Sequence, residues 1–153
     1  MKYHIFILLS FINSFLYSQV KQSADSVSYY NKQANLKLKE NKYAKAIELT
    51  EKSIEFCRHN HQSENAANQT FKLGKIYYNQ KKYEEALRNF HKTVSLFQNI
   101  KPSCTKALAL HYIGITNAAQ KDYATADIYY QKADSLLKIL NLNDPTESLN
   151  YQK

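Results

Sequence analysis

A motif that returns three times at a spacing of forty residues restricts this chain more than any other feature. Asn41 to Ile47 reads NKYAKAI, Lys81 to Leu87 reads KKYEEAL and Lys121 to Asp127 reads KDYATAD, with no gap between copies. The same offset relates Thr50 to Phe90 and Tyr130, Ser53 to Thr93 and Ala133, and Cys57 to Phe97 and Leu137. A fixed period of this length marks a stack of similar supersecondary units, each burying its apolar face against its neighbours.

Within one copy, Tyr83, Ala86, Leu87, Phe90, Thr93, Val94 and Phe97 recur at intervals of three and four, the buried stripe of an amphipathic helix. Upstream, Leu73-Gly74 aligns with Ile113-Gly114, and the first copy has Gln33-Ala34 there. A mid-helix glycine costs about 1 kcal/mol relative to alanine, so these small residues predict a close approach by a neighbouring helix. Glu40-Asn41-Lys42, Gln80-Lys81-Lys82 and Gln120-Lys121-Asp122 then serve as turns short enough to force antiparallel neighbours. Only two Gly and two Pro in 153 residues favour long helices over a turn-rich β fold, and helical hairpins are predicted.

Leu73, Gly74, Tyr77, Tyr83, Ala86, Phe90 and Thr93 in the second copy resemble the tetratricopeptide repeat pattern. The third copy keeps Ile113, Gly114, Tyr123, Ala126, Tyr130 and Ala133, with Asn117 in place of the first-helix tyrosine. The first copy departs most, with Gln33, Ala34, Lys37 and Thr50. The resemblance implies an all-α, right-handed α-solenoid of three antiparallel hairpins, at about residues 23–60, 63–100 and 102–140 of a domain spanning 19–144. It also implies packing roles for Tyr43, Tyr77, Tyr83, Tyr123 and Tyr130. The usual repeat is about 34 residues, so the excess of each copy is expected between hairpins, as a longer second helix or a connecting loop, near His59 to Ser63 and Asn99 to Ser103. Pro102 is expected to open the third hairpin, and Asp144-Pro145 a short helix over 145–153 that caps the stack or starts a truncated fourth repeat.

Residues 1–18 read as a secretory signal. Lys2 gives the positive start, Ile5 to Ile12 is an apolar run broken by Ser10, and Asn13, Ser14, Tyr17 and Ser18 precede a cleavage expected after Ser18. The run is shorter than the roughly 20 residues that span a bilayer, which makes an uncleaved anchor the minor alternative. The expected location is therefore periplasmic or secreted, with no stable membrane insertion after cleavage. The formal charge is +8, and its lysines are scattered through every segment, a pattern that suits a solubilising surface and weak contact with anionic envelope surfaces. Export argues against nucleic acid as a partner.

No phosphate-binding glycine loop, nucleophile elbow or paired metal motif occurs, so neither an enzyme nor a cofactor is expected. His59-Asn60-His61, with His91 and His111, lacks the acid or thiol that would complete a metal set. Cys57 falls on the buried stripe and Cys104 a whole repeat away, so two unbridged thiols are expected. The resemblance implies that the other face of each first helix lines a concave groove. Its candidates for holding a protein or peptide partner are Asn31 and Asn35, then Asn68, Phe71, Lys75 and Tyr78, then Leu108, His111 and Ile115. Asparagine and lysine would pair with backbone or carboxylate groups, and Phe71, Tyr78 and Leu108 would supply apolar contact. The expected function is a protein interaction module of the cell envelope. The alternative is the input region or accessory protein of a bacterial signalling system, because exported arrays with this period resemble such regions of histidine kinases and transcription regulators. The clamp by which some relatives hold a peptide's C-terminal carboxylate with Lys, Asn and Arg is disfavoured, since Asn31 and Asn35 fall close to that pattern but Leu108 and Tyr112 stand where basic residues would be wanted.

Overall fold

The computed structural model describes residues 26–98, 100 and 103–140, and these contain six helices and no strand. Helix α1 covers 26–39, α2 Tyr43–His59, α3 Ser63–Asn79, α4 Tyr83–Leu96, α5 Cys104–Ala119 and α6 Tyr123–Ile139. The secretory segment 1–18, the Asp144-Pro145 start and the final helix expected over 145–153 lie outside the described residues. So does Pro102. The chain divides into two compact units at His61 and Gln62. The first carries the α1–α2 hairpin, and the second the α3–α4 and α5–α6 hairpins.

Each hairpin turns in the same way. Asn41, Lys81 and Lys121 adopt left-handed backbone, with φ of 56°, 58° and 68°. In the second hairpin the Lys82 N–H donates to the Tyr77 carbonyl at 3.0 Å and the Lys81 N–H to the Tyr78 carbonyl at 2.8 Å. This pair of bonds is a Schellman closure, which satisfies carbonyls that a helix end would otherwise leave without donors. It recurs as Lys42 to Lys37 and Asn41 to Leu38, and again as Asp122 to Asn117 and Lys121 to Ala118. The polar turns are thus short because two bonds and one left-handed residue reverse the chain. Ser103 starts α5 by accepting from the Lys106 N–H at 3.2 Å, and Asp122 starts α6 by accepting from Thr125 at 3.1 Å. The residues in excess of the usual repeat are placed differently at the two junctions. After α2 only Asn60, His61 and Gln62 intervene, so the helices themselves are longer, whereas α4 reaches α5 through residues 97–103.

The small residues of the first helices sit under rings. A Cβ added to Gly74 would lie 2.6 Å from Phe90 Cε1, and one added to Gly114 would lie 2.6 Å from Tyr130 Cε1. In the first hairpin the register pairs Ala34 with Thr50, and both are fully buried. Alanine is accommodated where the second-helix residue is small, and glycine stands where that residue is aromatic. The stripe ends as expected, with Cys57, Phe97 and Leu137 buried. Four buried threonines add little polarity, because each hydroxyl donates to the carbonyl four residues earlier. Thr50, Thr70, Thr93 and Thr116 do so at 2.8, 2.7, 2.9 and 2.6 Å.

One packing expectation fails. Tyr123 is 68% exposed, although it keeps the register of Tyr43 and Tyr83. Tyr83 lies 5.8 Å from the Tyr78 ring, centroid to centroid, and the residue in register with Tyr78 on α5 is Ala118. Tyr123 therefore has no ring there to pack on.

The two glycines differ in what covers them. Phe90 is fully buried and cannot swing away, whereas Tyr130 is half-buried. Gly74→Ala is expected to lower stability by about 1–2 kcal/mol, the overpacking cost less the helix-propensity gain. At Gly114 the added Cβ would also lie 3.1 Å from the Ala126 carbonyl oxygen, but the half-buried ring can yield, so Gly114→Ala should cost less, within about 1 kcal/mol of the parent. Urea denaturation of both variants checks the difference; equal effects would contradict it.

Candidate binding surface

Helices α3 and α5 are the first helices of successive hairpins, and side chains from both meet beside the core. Phe71 of α3 lies 5.7 Å from Phe90 and 5.4 Å from Tyr112, centroid to centroid. Tyr112 of α5 also lies 5.3 Å from Phe90 and 5.9 Å from Tyr78, with the Tyr78 and Tyr112 rings edge to face at 89°. Offset and edge-to-face pairs at these distances are favourable aromatic geometry. The Lys75 ammonium stands 5.7 Å from the Phe71 centroid and 5.8 Å from that of Tyr112, within cation–π range. Phe71 and Lys75 are one turn apart on α3, which places the charge over the ring.

The sequence candidates thus separate into groups. Phe71 and Leu108 are 2% and 4% exposed and belong to the core cluster with Ala86, Phe90, Ala109 and Ile113. They are not surface contacts. Phe71 packs on Phe90 of its own hairpin and on Tyr112 of the next, and Leu108 joins the same cluster, so these large apolar residues are consumed between the two hairpins of the second unit. Lys75, Tyr78, His111 and Ile115 are half-buried and keep part of their surface. Asn68 is half-buried, and its Oδ1 has no donor among the described residues. Asn31 is half-buried and Asn35 exposed on α1, in the other unit. The structure adds Tyr112 and Tyr83 to this surface. Tyr112 lies one turn after Leu108, and that spacing is the sequence signal that places it on the same stripe.

Burial sets the electrostatics here. It lowers the Lys75 ammonium from its ordinary value, and it lowers Lys72 to about 8 with help from the like charge of Lys75. Burial raises the Tyr112 hydroxyl, and neighbouring Tyr78 adds to that. His111, stacked 5.2 Å from Tyr130, is lowered by burial against the opposing pull of Asp134. His91 lies 5.6 Å from Tyr129 and is lowered by burial and by Lys132. Among the described residues no three His, Cys, Asp or Glu side chains converge as a metal set would. Cys57 and Cys104 are free thiols, and burial raises the thiol of Cys57. No helix among the described residues is long and apolar enough to cross a membrane.

Residues 63–137 match the family model of the tetratricopeptide repeat. No curated protein matches the chain. Among solved structures, the tetratricopeptide repeat domain of Arabidopsis FLU is similar with a TM-score of 0.68 at 15% identity, over 76% of this chain and 98% of that one. The N-terminal domain of stress-induced protein-1 from C. elegans gives 0.65 at 18% identity, over 86% and 98%. Aspartyl phosphate phosphatase F from Bacillus subtilis gives 0.71 at 17% identity, over 77% of this chain and 31% of that one. At these identities the likeness is one of fold.

The histidines give a pH test. A histidine whose folded value is depressed takes up its proton more readily in the unfolded chain, so stability is full above the unfolded value of about 6.5 and is lost as pH falls below it. The urea midpoint should therefore fall between about pH 7.5 and 5.5, and fall less in His111→Asn, which has nothing to titrate there. An identical pH dependence in the variant would show that His111 contributes none of it.

Proposed function

Because the chain belongs to the tetratricopeptide repeat family, we propose that it is an exported interaction module that holds a protein segment against the shared surface of α3 and α5. The family fold points to protein–protein interaction, and no catalytic constellation in the sequence competes with that reading. The observation that carries the choice of surface is the group of Lys75, Tyr78 and Tyr112. Its side chains are half-buried and drawn from two helices, and Tyr112, which meets both Tyr78 and Lys75, rests on the fully buried Phe90. Rigid tyrosines with one edge still open supply contact area at small entropic cost, which is the usual character of binding hot spots. His111 and Ile115, further along α5, extend the surface. The segment 1–18 supports export to the periplasm or beyond.

The surface assignment is tested by affinity capture from the cell-envelope fraction. Tyr78→Ala should reduce recovery of a specific partner about tenfold or more while leaving helicity by circular dichroism unchanged. Phe71→Ala should instead destabilise the fold, by about 3–5 kcal/mol, since it opens a cavity in the core. Full recovery by Tyr78→Ala would remove this surface from consideration. Export is checked by the N-terminus of the chain recovered from the envelope, which should begin after Ser18.

A further inference from the structure

Lys75 is a half-buried cation whose described partners are two ring faces. Among the described residues no carboxylate pairs with it. It differs in this from Lys37, Lys42, Lys45 and Lys52, which each reach Glu40 or Glu48 at 2.8 or 2.9 Å on the outside of the first hairpin. We propose that Lys75, Tyr78 and Tyr112 receive an acidic protein segment, in which an Asp or Glu carboxylate meets the Lys75 ammonium and an adjacent apolar side chain lies on the two tyrosines. This rests on the reading of the α3–α5 surface as the binding site and specifies the chemistry of its partner.

Three observations favour this occupant. The ammonium has given up part of its hydration, and burial lowers its ordinary value, so the folded chain holds the charge at a cost that the ring faces offset only in part. A carboxylate arriving there gains more than it would at a fully hydrated lysine, because the surrounding dielectric is lower. The flanking tyrosine rings ask for an apolar neighbour beside the acid, which an amphipathic protein segment provides. A nucleic acid would need a basic track, and the lysines of this chain are scattered. The net charge of +8 favours encounter with an acidic partner in any case.

The test uses the full chain and two fluorescein-labelled peptides of alternating Glu and Leu, the second with every Glu replaced by Gln, read by fluorescence anisotropy. The acidic peptide should bind about tenfold tighter than the neutral one. Lys75→Met, which keeps the apolar stem, should reduce that ratio to below about twofold with unchanged circular dichroism, and Lys75→Arg should retain most of it. An unchanged ratio in Lys75→Met, or no preference in the parent chain, overturns the proposal. Phosphatidylglycerol vesicles that bind with the same dependence on Lys75 overturn it too, in favour of a lipid surface. If the acid preference is absent while capture still depends on Tyr78, only the acidic partner is wrong; if both are absent, the surface itself is.

Discussion

The contact of the Phe90 ring with the bare Cα of Gly74 is the constraint on which the second unit depends. It lets α3 and α4 approach until the ring lies 2.6 Å from where a Cβ would stand, and the same ring then meets Phe71 and Tyr112. One buried aromatic therefore closes its own hairpin and receives the first helix of the next. The third hairpin repeats the device with Gly114 and Tyr130. In the first, Ala34 and Thr50 take the two positions, and the smaller second-helix side chain removes the need for glycine.

What this packing leaves over is the surface proposed for binding. Once Phe71 and Leu108 are spent between hairpins, the side chains beside them on the same helices are those still partly open to water. Lys75 and Tyr78 are in that position on α3, and Tyr112, His111 and Ile115 on α5. Their orientation is inherited from the core. Tyr112 touches Phe90, Phe71 and Tyr78 together, so it cannot turn without disturbing the hairpin beneath it. A surface built on the core in this way is preorganised, and a segment bound there would order few side chains anew.

Much of the architecture was legible because a period of forty residues repeats every local choice three times. The turn at Asn41, Lys81 and Lys121, the small residue beneath the ring and the stripe ending at Cys57, Phe97 and Leu137 all follow from aligning the copies. The site was less legible, because the face of a first helix is divided between a neighbouring hairpin and water, and one helix read alone does not locate the division. Phe71 and Leu108 fell on the buried side of it and Lys75 and Tyr78 on the open side. Tyr123 was misread for the complementary reason. Its register was correct, but the burial of a turn tyrosine depends on its counterpart across the hairpin, Tyr78 for Tyr83 and Ala118 for Tyr123.

A double-mutant cycle between Gly74→Ala and Phe90→Leu tests the ring-over-glycine contact most directly. If the alanine is costly only because Phe90 occupies its space, that cost should largely vanish in the Phe90→Leu background, leaving a coupling of about 1 kcal/mol or more in urea unfolding. Additive effects, with coupling below about 0.3–0.5 kcal/mol, would mean that glycine is required there for some other reason.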